Sequence, residues 1–151
     1  MELVVHPLTP ANWSALEDLF GKGGASNGCW CMYWRIGPAY HRGPRAQNRG
    51  ALRALAPVDD LPVWSVSCFY VRRGYRRKGV MSALIVAALK AAKRGGAPAL
   101  EAYPVDTACA GATRNVFTGT AAAFRRAGFA EVACRAPSRP LMRHDLDGVE
   151  T

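Results

Sequence analysis

The run Val71-Arg72-Arg73-Gly74-Tyr75-Arg76-Arg77-Lys78-Gly79-Val80-Met81 gathers basic residues and glycines between a strand-like stretch, 63–71, and a helix-like stretch, 80–94. A strand, a tight glycine turn and a helix N-terminus together make a phosphate cradle. The turn offers backbone N–H groups, the helix end adds about half a positive charge, and Arg76, Arg77 and Lys78 add whole charges. The same run also reads as a solvated basic turn that meets nucleic acid. Further along, Glu101 falls inside a predicted central strand, where a carboxylate is suited to act as a base. Its other reading is a salt-bridged or edge residue. Tyr103, two residues on, faces the same side and could bind substrate or donate a proton. Asp106 could hold a cationic acceptor or cap a loop.

A second cluster, Cys29-Trp30-Cys31-Met32-Tyr33-Trp34, is dense in aromatic rings. It reads as core packing or as the wall of an acceptor pocket, whose ring faces suit a cation. Cys29 and Cys31 with His41 make a poor zinc set, because a structural site wants four ligands, so no metal is expected. His6 and His144 lie in predicted strands near the chain ends and have no evident partner.

The elements that must position these residues follow from periodicity. A chain of 151 residues that is 50% hydrophobic is expected to form one domain with a real core. Its net charge of +9 suits an anionic partner. Five scattered cysteines, an odd number, point to a reduced, cytoplasmic setting. Residues 1–7 lack the basic start and apolar core of a signal peptide. The apolar run 80–92 is too short to cross a bilayer, so no membrane partner is expected.

Residues 2–8 read as a strand. Thr9 then caps a helix with Pro10 at its first position, and Trp13, Leu16 and Phe20 share one face. Residues 45–55 look helical, and 57–62 form a turn carrying Asp59 and Asp60. The stretch 63–71 has apolar or small residues on both faces, as a strand covered on both sides does. Val80, Ala83, Leu84, Ala87 and Ala91 form the apolar stripe of a helix that Gly95-Gly96 ends. Residues 97–104 are a second central strand, and 106–115 a loop. Phe117, Thr120, Ala121 and Phe124 form another helical stripe, ended by Gly128. Residues 129–135 and 141–146 form a closing antiparallel pair. The alternation of strands and helices predicts an α/β fold with a mixed central sheet flanked by helices.

Over residues 62–146 the chain resembles the GNAT superfamily of acetyl-CoA-dependent N-acetyltransferases. The likeness rests on the strand 64–71, on Arg76-Arg77-Lys78-Gly79-Val80-Met81 and on Phe124-Arg125-Arg126-Ala127-Gly128-Phe129. The family's pyrophosphate motif is Arg/Gln-x-x-Gly-x-Gly/Ala; Arg76 and Gly79 match it, and Met81 replaces the last small residue. The resemblance implies acetyl-CoA as cosubstrate, bound where the two central strands splay apart. Backbone groups of Cys68, Phe69, Tyr70 and Val71 would pair with the pantetheine arm like an added strand. The N–H groups from Arg76 to Ser82 would hold the pyrophosphate, and an N–H near Phe69 or Tyr70 would polarise the thioester carbonyl. The amine attacks directly in a ternary complex and passes its proton to a base or a water chain. The aromatic patch is similar to one that lies near the acceptor side in some bacterial members. That implies Trp30, Cys31, Tyr33 and Trp34, with Asp106, as substrate contacts.

Departures from the family pattern set further expectations. A typical member has two more strands before the strand that precedes the phosphate turn. Here the helix ending at Leu55 leaves no room for them, so the fold is expected to be truncated at one sheet edge. An exposed edge invites pairing with a second chain, and a homodimer or a repaired edge is expected. Phe124 stands beside the cofactor where many members carry a tyrosine general acid, and phenylalanine has no proton to give. Thr118 and Thr120 are alternative donors to the thiolate, although such threonines also bond helix backbone. The leading function is acetyl transfer from acetyl-CoA to a primary amine of a small molecule or peptide. The alternatives are a catalytically inactive fold that binds CoA or another ligand, and a nucleic-acid binder, for which no recognition helix or stacking pattern is present.

Overall fold

The computed structural model describes residues 3–7, 9–20, 58–112, 116–134 and 136–149. Backbone contacts gather the chain into two units, His6–Pro57 and Met1–Val5 with Val58–Thr151.

In the unit His6–Pro57, a 3-10 turn over Pro10–Asn12 leads into helix α1, Trp13–Phe20. Pro10 starts the turn where its missing N–H costs nothing. The cap comes from Asn12 rather than from the expected Thr9. Its Oδ1 accepts the Thr9 N–H at 2.7 Å, and its Nδ2 donates to the Pro7 carbonyl at 2.9 Å. The predicted helix 45–55 and the aromatic patch lie outside the described residues.

The other unit holds a mixed four-stranded sheet in the order β1-β2-β4-β3. The strands are β1 (Trp64–Val66), β2 (Ala99–Ala102), β3 (Ala130–Cys134) and β4 (Pro140–Asp145). β1 runs parallel to β2, while β4 is antiparallel to both β2 and β3. Helix α2 (Val80–Arg94) connects β1 to β2, as a parallel pair requires, and α3 (Ala121–Arg126) precedes β3. Thus the α/β class, the bounds of α2 and the closing antiparallel pair stand as the sequence indicates. The N-terminal strand does not: Leu3 to Pro7 has no strand conformation, and Leu3, Val4 and Val5 are exposed.

α2 ends where Gly96 turns to φ 75°, with the Gly95, Gly96 and Ala97 N–H groups donating to the last carbonyls. Its buried residues are Ile85, Leu89 and Ala92, with Met81 and Ala88 packed beside the core. The predicted stripe was offset from this face. A helix apolar around most of its circumference offers two adjacent apolar stripes, and spacing alone does not choose between them. Leu84, Ala88 and Ala91 instead line an open groove of about 430 Å³ along β1. β1 is an outer strand of the sheet, and Trp64 is 49% exposed, so the expected burial of both its faces is not met. The Trp64 indole lies against Gly95, where any Cβ would come within 2.7 Å of the ring.

β2 is buried throughout. Leu100 and Ala102 point into the core with Phe124, Phe129 and Met142. Alternation sends Glu101 to the opposite face of the sheet. No helix among the described residues is long and apolar enough to cross a membrane.

Candidate functional site

The basic turn is shaped by two left-handed residues. After Val71 the chain makes a 3-10 turn, Arg73–Tyr75, and leaves through an extended Arg76. Arg77 then takes φ 62° and Gly79 φ 76°, so the chain bends sharply into the start of α2. The first internal bond of α2 runs from the Ala83 N–H to the Gly79 carbonyl at 3.1 Å. The N–H groups of Val80, Met81 and Ser82 therefore have no partner within the helix. Arg76 Nε closes the turn on the Val71 carbonyl at 3.0 Å, and Lys78 Nζ lies 5.6 Å from the Tyr75 ring centroid. A left-handed conformation costs a side-chain-bearing residue about 1–2 kcal/mol, whereas glycine adds about 0.5–1 kcal/mol of chain freedom to be lost. Arg77→Gly is accordingly expected to raise stability by up to about 1 kcal/mol, or about 2–4 °C in Tm, as thermal unfolding would measure. The charge of Arg77 offers a reason for keeping a strained arginine in the turn.

β1 and β2 stay in register only over Trp64–Val66 against Leu100–Ala102. The strand predicted to reach Val71 stops at Val66 because β2 diverges. Residues 117–121 fill the gap. The Phe69 N–H donates to the Phe117 carbonyl at 2.6 Å, the Val105 N–H to the Gly119 carbonyl at 3.0 Å and the Ala121 N–H to the Val105 carbonyl at 2.9 Å. Val105 and Thr120 form a parallel bridge. The helix expected from Phe117 onward therefore begins only at Ala121. Gly119 has φ 83°, and a Cβ there would sit 3.0 Å from the Phe124 ring, 3.3 Å from Phe69 and 3.4 Å from Met81 Sδ. Three residues far apart in sequence thus converge on one glycine. Phe124 is fully buried, 5.9 Å from Phe69 and edge-on to Phe129 at 4.9 Å between centroids.

On the opposite face of the sheet, Glu101 stands directly across from Arg143 in the β2–β4 register. Glu101 is 3% exposed. Its Oε1 accepts from Arg143 Nη2 at 2.6 Å and Nε at 3.0 Å, and its Oε2 accepts the Tyr103 hydroxyl at 3.1 Å. The same guanidinium forks onto both oxygens of Asp59, at 2.6 and 3.0 Å. Asp59 and then Glu101 raise the pKa of Arg143, and the bond from Arg143 holds the Asp59 carboxyl below its ordinary value.

Residues 49–116, a little under half of the chain, match the model of the acetyltransferase (GNAT) family. That stretch contains the whole of β1, the basic turn, α2 and β2. Over these elements the chain is similar to GNAT acetyltransferases. No curated protein and no solved structure matches the chain.

Within the GNAT frame, residues 76–82 sit at the N-terminus of α2, and 68–71 continue β1 where the sheet opens. Two backbone groups expected for the cofactor are engaged by the chain itself: the Phe69 N–H by Phe117, and the Val71 carbonyl by Arg76. Thr120 is extended and makes no side-chain cap bond. Thr118 is buried, and its hydroxyl accepts from Arg139 Nη1 at 3.2 Å; burial lowers the pKa of Arg139. Asp106 pairs with Arg125 at 2.9 Å and caps the Ala108 N–H at 3.1 Å, and Arg125 first of all keeps its carboxyl below the usual range. Trp30, Cys31, Tyr33 and Trp34, with Cys29 and His41, lie outside the described residues. Among the described residues no three His, Cys, Asp or Glu side chains gather as metal ligands would. His144 has its Nδ1 2.6 Å from the Asp145 carbonyl and its ring edge-on to Phe129.

Sequence reasoning passed over Arg143, Arg139 and Gly119. Arg143 follows three buried residues in β4, and a charge in such a strand calls for a partner. Gly119 between two threonines was a signal against a continuous helix.

Proposed function

We propose that the protein moves an acetyl group from acetyl-CoA to a primary amine of a small molecule or peptide. The observation that carries this reading is the basic left-handed turn at the N-terminus of α2, just past the point where β1 and β2 part. In this reading the pyrophosphate rests on the N–H groups of Val80, Met81 and Ser82 with Arg77 and Lys78 around it. The pantetheine arm runs along 68–71. A neutral amine attacks the thioester carbon, the C–S bond breaks, CoA leaves as the thiolate, and the amine gives up a proton. Glu101 takes that proton on Oε2, the oxygen that Tyr103 reaches, with the Tyr103 hydroxyl as relay. Thr120 donates a hydrogen bond to the departing thiolate, whose proton comes from water, since Phe124 has none to give. Cys109 and Cys134 form no disulfide, which fits a reduced cytoplasm, and a second copy pairs along the outer strand β1.

A second reading, a CoA binder without turnover, is favoured by the engaged Phe69 N–H and by Phe124. Calorimetric titration with acetyl-CoA and CoA, followed by thiol release with a panel of amines, separates the two. The enzyme binds the cofactor and releases thiol, and Glu101→Gln lowers turnover by about 10²-fold or more with cofactor affinity unchanged. Binding without thiol release for any amine supports the inactive form, and no binding to either compound overturns both. A nucleic-acid binder would instead show affinity for duplex DNA that falls steeply with salt.

A further inference from the structure

We propose that residues 117–120 form a displaceable strap that closes the acyl-carrier cleft in the free protein and withdraws from Phe69 when the cofactor enters. The inference rests on the acetyl-CoA reading above. The Phe117 carbonyl meets the Phe69 N–H at 2.6 Å, and that N–H is among those suited to polarise a thioester carbonyl. One N–H cannot donate fully to both, so the strap's own carbonyl occupies the place of the acyl oxygen. Gly119 also fills the space between Phe69, Met81 and Phe124, leaving no gap there for the end of a pantetheine arm.

The strap is built to move. Its first half is a single 3-10 turn, Val116–Thr118, whose hydrogen-bond geometry is poorer than that of an α-helix. Val116 is 42% exposed and Phe117 43% exposed. Thr120 starts α3 without a side-chain cap. Its ties are the backbone bonds to Phe69 and Val105 and the Arg139 contact to Thr118. Thr118 and Gly119 are buried, so opening starts from the exposed end at Val116 and Phe117, where few ties hold the segment. The left-handed Gly119, φ 83°, stands at the end of the turn, where a hinge would lie. A cofactor that binds only the open form sees an affinity reduced by the open fraction, so the strap sets the acetyl-CoA concentration at which the protein loads.

Amide hydrogen exchange on the full chain, with and without saturating acetyl-CoA, tests this. Exchange at 76–82 should slow, while exchange at Val105, Gly119 and Ala121 should speed up by roughly tenfold or more. In Gly119→Ala the left-handed φ and the crowding of Phe124 strain the closed strap, so acetyl-CoA should bind roughly tenfold tighter. Slowing at 76–82 with Val105, Gly119 and Ala121 unchanged would overturn the strap and leave the acetyl-CoA reading standing. Slowing at 76–82 only in Gly119→Ala would mean that the closed strap excludes the cofactor, which supports the proposal. If the native chain shows no slowing and Gly119→Ala shows none or does not fold, both fall.

Discussion

Arg143→Met is expected to lower the unfolding free energy by about 3–5 kcal/mol. Its guanidinium is the cation on Glu101 Oε1, and Glu101 is 3% exposed. Without it a buried carboxylate keeps its desolvation cost and loses its compensation. The double change Glu101→Gln with Arg143→Met should recover most of the loss, since removing both charges of a buried pair is close to neutral. Urea unfolding of the three variants measures this. A single-variant loss under about 1 kcal/mol would place the pair with solvated surface bridges. Acid should narrow the difference from the native chain. The Asp59 carboxyl is held below its ordinary 3.8 by Arg143, so its contribution is full above that value. It is lost as pH falls through the lower folded value. Arg143→Met has no such contribution to lose.

Phe124→Ala is expected to cost about 3–5 kcal/mol, with Tm falling by roughly 10 °C. Phe124 is wholly buried, and its ring touches the environment of Phe69, Phe129 and Gly119 at once. In the closed form the bonds of Val105 to Gly119 and Ala121 hold the surrounding backbone away from that space. Differential scanning calorimetry would read the effect. A small change in Tm would show that the neighbouring rings repack freely.

The parts of this molecule legible in the sequence are those that local chemistry dictates. The glycines that bracket α2 and the cations beside them fix its ends to the residue, because each marks a backbone conformation or a dipole end. The basic turn was readable for the same reason. The pairing of Glu101 was legible only as an alternative. Its partner Arg143 lies 42 residues from Glu101 and 84 from Asp59, which shares the guanidinium, and no local pattern encodes a register across such spans. The break in the strand after Val66 was hidden for a similar reason. Residues 67–71 have the composition of a strand, and they lose that conformation because β2 turns away and 117–121 comes between. The Phe117 stripe misled in the opposite direction, since an apolar 3-residue spacing fits a helix as well as a strand-like insertion flanked by a short turn.

The order of the strands has a consequence for synthesis. β4 is the last of the four to be made, yet it lies between β2 and β3, bonding along both. A nascent chain that has emerged only through β3 has β2 paired on one side only, with β1, and β3 with no neighbour at all. It also has Glu101 waiting for Arg143, and a loop at Asp59 with nothing to anchor it. The sheet therefore closes in one late event that brings distant residues together. Such closures are slow, and they leave strand edges open to other chains in the interval. While this chain is being made, its vulnerability lasts from the emergence of β3 until β4 is free to pair between its neighbours.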